Sequence, residues 1–295
     1  MKYQLLVTHH APDLDAIGAV WMLKRFDTQH YGEARIQFVN PGASLSTQEI
    51  LNMGYEPHLT THVDTGLGEF DHHQSERGGE YLSATSLTYE YVCQLHPELQ
   101  EDAALNSISH FITEIDHFGE IDWPDSGHER YSFMLHELLR GGESTDHFND
   151  DSQLNYGMLS LDMVYAGLRQ RFSAERELRS ADQRFELPFG AALAILTSND
   201  DTIKLAQKQG IMLVIKKDPI LGNIRIKLRP DAPVTLEKLS VAIQHADPHG
   251  TWYYHPGGKM LINGSQKHRN QTASSLTLQQ VVALVKEMYG EEHAI

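Results

Sequence analysis

A chain of 295 residues with 40% hydrophobic and 22% charged side chains has the makeup of a folded globular protein, which excludes a disordered or collagen-like chain. Its net charge of −16 argues against avid, nonspecific binding to long duplex nucleic acid, because that affinity comes from lysine and arginine neutralising phosphates. One cysteine, Cys93, excludes an internal disulfide and a multi-cysteine zinc cluster, and the longest apolar runs are too short for a membrane-spanning helix.

Apolar residues at Gln4–Thr8 predict a strand, and helical spacing from Ala16 to Phe26 predicts a helix after it. The pattern continues with strand Ala34–Asn40, helix Ser46–Met53 and strand His58–Asp64. A further short strand is expected over Phe70–His73, then helices over Ala84–Leu95 and Leu105–Ile115. Strands alternating with helices imply a parallel sheet. Residues Tyr131–Arg184 read as mainly helical, broken by an exposed polar loop at Gly141–Gln153.

Beyond Glu186–Gly190 the alternation restarts with strand Ala191–Thr197, helix Thr202–Lys208, and strands Ile211–Ile215 and Ile224–Leu228. Helix Leu236–His245, a hairpin around Trp252–Ile262 and helix Leu278–Tyr289 complete it. The charge balance changes at the same place. Residues 1–186 carry 12 Lys+Arg against 31 Asp+Glu, whereas residues 187–295 carry 12 against 9. The expected organisation is an α/β protein with an N-terminal parallel-sheet domain, 1–186, and a smaller C-terminal α/β domain, 187–295. An acidic half could hold cations and a mildly basic half could meet an anionic substrate, although solvated charge runs give the same totals.

Four segments carry candidate chemistry. Directly after the first strand stands Thr8-His9-His10-Ala11-Pro12-Asp13-Leu14-Asp15. Loops outside the carboxyl ends of parallel strands form ligand crevices, and carboxylates mixed with imidazole suit manganese, magnesium, iron or zinc. The plainer alternative is a polar turn in which Asp13 or Asp15 caps the next helix. Asp64 ends the third strand, and Asp71-His72-His73-Gln74 ends the next apolar stretch. A carboxylate beside an imidazole can fix the tautomer that offers its other nitrogen to a metal, although histidine-rich loops are often mere surface. Asp116 follows an apolar helix face and alone would mean little.

In order and in kind, these four segments resemble the motifs of the DHH phosphoesterase superfamily. That superfamily includes RecJ-like exonucleases, oligoribonucleases that also act on cyclic dinucleotides, and family II inorganic pyrophosphatases. The resemblance covers about the first 120 residues. It implies that His9 and Asp13 hold one divalent ion, that Asp15, His72 and Asp116 hold another, and that Asp64 bridges them. It further implies that Asp71 orients His72 and that His73 faces the substrate phosphate as a hydrogen-bond donor or general acid. Two divalent ions are expected, manganese first with magnesium as the alternative. Six residues separate Asp64 from Asp71, shorter than in the pyrophosphatases and closer to an exonuclease-like branch with a DHHQ third motif.

The expected function is therefore hydrolysis of phosphodiester or terminal phosphate bonds in a phosphorylated small molecule or short single-stranded nucleic acid. The alternatives are a pyrophosphate or polyphosphate hydrolase and a noncatalytic metal-dependent nucleotide-binding module. Superfamily members usually carry a glycine-rich C-terminal loop over the metals. The nearest segments here place Gly257, Gly258, Lys259, Gly264, Ser265 and Arg269 as candidate substrate contacts, with a plain hairpin turn as the simpler reading. Trp252-Tyr253-Tyr254 could stack a base, but alternation along a strand sends at least one of them, Trp252 first, to the core. No export-signal core precedes the first acidic residues, so a cytoplasmic location and no membrane partner are expected, with homo-oligomerisation left open.

Overall fold

A computed structural model describes residues 4–77, 79–145, 148–181, 183–264 and 270–290. The chain divides into two compact units, residues 1–169 and 170–295.

The first unit contains β1 (Leu5–His9), α1 (Leu14–Phe26), α2 (Thr28–Tyr31), β2 (Arg35–Val39), α3 (Thr47–Asn52), β3 (Thr60–His62), α4 (Ala84–Leu95), α5 (Ala103–Asp116) and α6 (Leu135–Glu143). Helix α7 (Asp150–Arg179) starts in this unit, and the division falls within it. The sheet has the order β2-β1-β3, and β1 is parallel to both neighbours. Leu5, Leu6, Val7 and Thr8 of the central strand are all buried. That is why this strand reads as an unbroken apolar run rather than an alternating one. Helix α1 is buried from Leu14 to Leu23, and its Trp21, Ile17 and Met22 lie in one core with Leu105, Ile112 and Leu154 from α5 and α7. Gly18 makes this packing close. A Cβ there would stand 2.4 Å from Thr85 Oγ1, so only glycine lets α1 approach the start of α4.

The second unit contains β4 (Arg184–Leu187), β5 (Gly190–Leu196), α8 (Asp201–Lys208), β6 (Leu213–Lys217), β7 (Ile224–Leu228), α9 (Glu237–Ala246), β8 (Trp252–Tyr254), β9 (Met260–Asn263) and α10 (Leu278–Tyr289). Its six strands run in the order β4-β5-β6-β7-β9-β8, with β5 and β6 parallel and every other pair antiparallel. Ile224, Ile226 and Leu228 alternate inward and pack with Leu236, Leu239, Ile243, Val281 and Val285 of the covering helices. Trp252 and Tyr254 pack on this core while Tyr253 is exposed, as alternation requires.

The α/β class expected from the sequence is the observed one. The stretch Gly141–Gln153, expected as an exposed loop, holds the end of α6 and the start of α7, and Gln153 is buried; two further elements differ. The strand expected over Phe70–His73 reduces to one bridge between Val63 and Phe70. Strand β4, where the sequence reads as a domain boundary, pairs with β5 across the turn at Pro188-Phe189. Among the described residues no helix is long and apolar enough to cross a membrane.

Candidate metal centre

His9 is the last residue of β1, and Asp64 follows β3 by two positions, so both stand at the carboxyl end of the parallel sheet. Asp64 adopts φ 54, a left-handed conformation that costs a non-glycine residue energy and recurs at functional sites. Its N–H donates to Phe70 O at 2.8 Å, which fixes the turn leading to Asp71-His72-His73. Helix α5 packs beside α1 and α4 and presents Asp116 as its final residue. A carboxylate there sits at the negative end of the helix dipole, the less favourable end for it.

The structure brings His9, Asp13, Asp15, Asp64, His72 and Asp116 together. His9 Nε2 lies 3.3 Å from Asp64 Oδ2 and 3.9 Å from Asp13 Oδ1. His72 Nε2 lies 3.6 Å from Asp64 Oδ1, 3.5 Å from Asp116 Oδ2 and 3.8 Å from Asp15 Oδ2. Asp64 thus stands between the two imidazoles, with one carboxylate oxygen toward each. The helix-capping alternative holds as well. Asp13 Oδ1 accepts the N–H groups of Asp15 and Ala16 at the start of α1, and Asp15 accepts those of Ala84 and Thr85 at the start of α4, at 2.7 and 2.8 Å. Carboxylate oxygens carry spare lone pairs, so capping leaves these groups able to bind a cation.

The electrostatics show a centre short of positive charge. Burial pushes the Asp15 carboxyl well above the usual range, reinforced by Asp64 and Asp116. Burial likewise raises Asp116 to about 6, partly offset by His72. Asp64 is held low: its burial acts the other way, but the His72 and His9 imidazoles beside it outweigh it. The Asp64 carboxylate, 3.6 Å away, raises His72 to about 9. Burial acts to lower His9, but Asp64 and Asp13 outweigh it and carry this imidazole to about 9 as well.

Asp64 Oδ1 and His72 Nε2 are both buried without a hydrogen-bond partner. Orphaned buried polar atoms are costly, and a cation between them would satisfy both. The donor set, hard oxygens with imidazole nitrogens, fits a divalent ion such as manganese or magnesium. Donor atoms of His9, Asp13 and Asp64 lie within 4.8 Å of one another, as do those of Asp64, His72 and His73, and of His72, Asp116 and His117.

Two expected roles change. Asp71 does not orient His72: its Oδ1 accepts from His73 Nδ1 at 2.7 Å and from the His73 N–H, and its Oδ2 accepts from the Leu67 N–H. The turn folds His73 back over Asp71 while His72 points to Asp64. Lys259 has a local task, because its ammonium donates to the carbonyls of Ala232 and Val234 at 2.5 and 2.7 Å. Gly257 and Gly258 lie in the turn between β8 and β9, closed by Gly258 N–H to His255 O. Gly264 follows β9, and Ser265 and Arg269 lie outside the described residues.

Residues not foreseen also belong here. His117 joins His72 and Asp116, with its Nε2 on Leu82 O. Asp150, from a stretch read as exposed loop, grips His10 and Ala11. A cavity of about 460 Å³ beside the centre is lined by Asp13, Asp15, Asp116, Phe118, Glu120 and His136. His117 and Phe118 directly follow Asp116 in the chain, whereas Asp150 and His136 meet the motifs only through tertiary packing.

A parallel α/β unit that gathers imidazoles and carboxylates at the carboxyl ends of its strands defines a candidate divalent-metal centre. Among solved structures, the chain is similar to RecJ of Thermus thermophilus in complex with Mg²⁺, at 12% identity and a TM-score of 0.34, over 97% of this chain and 49% of that one. It is similar to the same protein with Mn²⁺, at 11% identity and a TM-score of 0.32, over 97% and 52%. The DHH domain of a member of a ribosomal-protein family matches at 14% identity and a TM-score of 0.31, over 97% and 86%. The chain spans about half the length of the two Thermus chains. No family model matches the sequence, and no curated protein matches it. What the centre can do follows from its own residues.

Proposed function

We propose that this protein is a two-metal phosphoesterase that hydrolyses phosphodiester or terminal phosphate bonds in a small nucleotide or short oligonucleotide. The observation that carries the reading is the buried pair of polar atoms without hydrogen-bond partners, Asp64 Oδ1 and His72 Nε2, inside a ring of further carboxylates and imidazoles. His9, Asp13 and Asp64 would hold one ion, and Asp64, His72, Asp116 and Asp15 the other. Manganese is the expected metal and magnesium the alternative. When bound, such a pair lowers the pKa of water to supply a nucleophile at neutral pH and stabilises charge on the phosphoryl oxygens.

The chain's own groups do the rest. His73 is 60% exposed at the mouth of the centre, and its Nδ1 is tied to Asp71, which leaves Nε2 to reach a substrate oxygen. That arrangement suits a general acid that protonates the leaving group, with Asp71 fixing the orientation of the ring. The acidity of residues 1–186 favours a short substrate over a long duplex. Contact of Gly257, Gly258, Gly264, Ser265 and Arg269 with the substrate belongs to the proposal, as does a cytoplasmic location.

The test is a screen of manganese-loaded protein against a chromogenic phosphodiester, pyrophosphate, cyclic dinucleotides and short RNA and DNA. Chelator-sensitive cleavage of phosphodiesters is expected. Manganese binding without hydrolysis of any substrate would leave a binding module, and turnover of pyrophosphate alone would move the protein to the alternative activity.

A further inference from the structure

Between His9 and Asp13 the chain makes a tight turn, and the turn does not hold itself. Ala11 adopts φ 48, a left-handed conformation that disfavours any residue with a Cβ. Three contacts from one helix keep it there. Asp150 Oδ1 accepts the Ala11 N–H at 2.7 Å, Asp150 Oδ2 accepts from His10 Nδ1 at 2.6 Å, and Gln153 Nε2 donates to Pro12 O at 3.1 Å. Every residue between the two proposed ligands is thus gripped from the first turn of α7.

That first turn is itself fixed. Asn149 Oδ1 accepts the Ser152 N–H and Ser152 Oγ accepts the Asn149 N–H, at 2.9 and 2.8 Å, which pins the start of the helix. One turn farther on, a Cβ at Gly157 would stand 2.7 Å from Ile17, so glycine seats α7 directly on α1. Asp162 then accepts from Trp21 Nε1 and Arg25. The consequence reaches the centre through His10, whose carbonyl lies 2.8 Å from His9 Nδ1. A hydrogen bond there presents His9 Nε2 to Asp64, the arrangement a metal-ligating histidine requires of its outer partner.

We propose that Asp150, backed by Gln153, is a positioning residue for the metal centre: it holds the strained His10–Ala11 turn that aims His9 and Asp13. The inference rests on reading the site as a metal centre. Asp150 touches neither ion nor substrate, and its effect passes through the backbone of the turn.

Manganese affinity, measured calorimetrically on the full chain without substrate, tests this alongside melting in chelator. Asp150→Ala should weaken binding about 10- to 100-fold, the usual effect of losing an outer partner of a ligand. Asp150→Asn, which keeps an oxygen for the Ala11 N–H, should fall between it and the wild type. Ala11→Gly removes the strain, so adding it to Asp150→Ala should recover part of the affinity. Asp151→Ala removes the same charge from an exposed neighbour and should change affinity less than twofold. Unchanged affinity in Asp150→Ala, whatever its melting temperature, would overturn the proposal. So would an equal loss in Asp151→Ala, which would make the effect one of bulk charge. A wild-type chain that binds no divalent ion would overturn the metal reading itself, and this proposal with it.

Discussion

Each unit contains a cavity rich in aspartate, and the two handle that charge in opposite ways. In the second unit a cavity of about 410 Å³ is lined by Asp200, Asp218, Lys216 and Arg225. Asp200 pairs with Lys216 and, at 2.6 Å, with Arg225, while Asp218 accepts the N–H groups of Ile220 and Leu221. Burial alone would raise both carboxyls, but these partners outweigh it and hold the two below the usual range. In the first unit burial raises Asp15 and Asp116, and at the centre Asp64 Oδ1 and His72 Nε2 lack hydrogen-bond partners. The number of acids is therefore a poor guide to a cation site. The informative sign is an acid cluster that its own fold leaves unneutralised.

The change that tests this contrast most severely removes the acid between the two imidazoles. Asp64→Asn takes charge from both proposed metal positions, so it should abolish hydrolysis and most manganese affinity together. Calorimetry and a phosphodiester assay on the same preparation check this, and full manganese occupancy in the variant would remove the bridging role. His73→Ala comes next. It takes away a group that faces the substrate side, so manganese content should stay near that of the wild type while turnover drops by about 10² to 10⁴. Metal analysis beside the rate measurement separates the two effects, and undiminished turnover would leave His73 without a catalytic part.

Much of both units is legible in the chain itself. Helices over Ala84–Leu95 and Leu278–Tyr289 and strand Ile224–Leu228 fall where apolar spacing puts them, because each buries one periodic face. His9, Asp13 and Asp15 are readable as a group since a strand, a turn and a helix start keep them close. Asp64, His72 and Asp116 are recognisable only through the order of motifs, for no periodicity ties them to His9. The partner of His73 is decided by how one turn folds back, which residue identity does not encode. Asp150 lies 140 positions from His10, in a polar stretch that reads as loop, and only the packing of α7 on α1 brings them together.

Titration offers a subtler distinction between the units. Without metal, His9 and His72 keep their protons up to about 9, against 6.5 in an unfolded chain. That stabilisation is complete below about pH 6.5 and is lost as pH rises through about 9. Asp116, raised to about 6, adds a cost of ionisation that sets in between its ordinary 3.8 and about 6. Chelated protein should therefore melt at progressively lower temperature from about pH 6 to about pH 9. Manganese should restore more stability the higher the pH, since it displaces protons from the same ligands. Melting curves with chelator and with manganese across this range measure it. A metal-induced gain that does not grow with pH would count against metal and proton sharing these residues.

The smallest effect is expected where the charges already cancel. Asp200→Asn leaves Lys216, only 6% exposed in its side chain, and Arg225 facing each other without their shared acid. Breaking a fully buried pair costs about 3–5 kcal/mol, but the Asp200 side chain is 55% exposed and solvent screens the two cations, so a loss of about 1–2 kcal/mol is expected. Because the acid serves its own unit, manganese affinity should be unaltered. Urea unfolding of the variant checks the stability, and calorimetry checks the affinity. A large fall in manganese binding with Asp200→Asn would show that the second cavity, despite its internal pairing, takes part in holding metal, and the contrast between a neutralised and an unneutralised cluster would no longer mark the site.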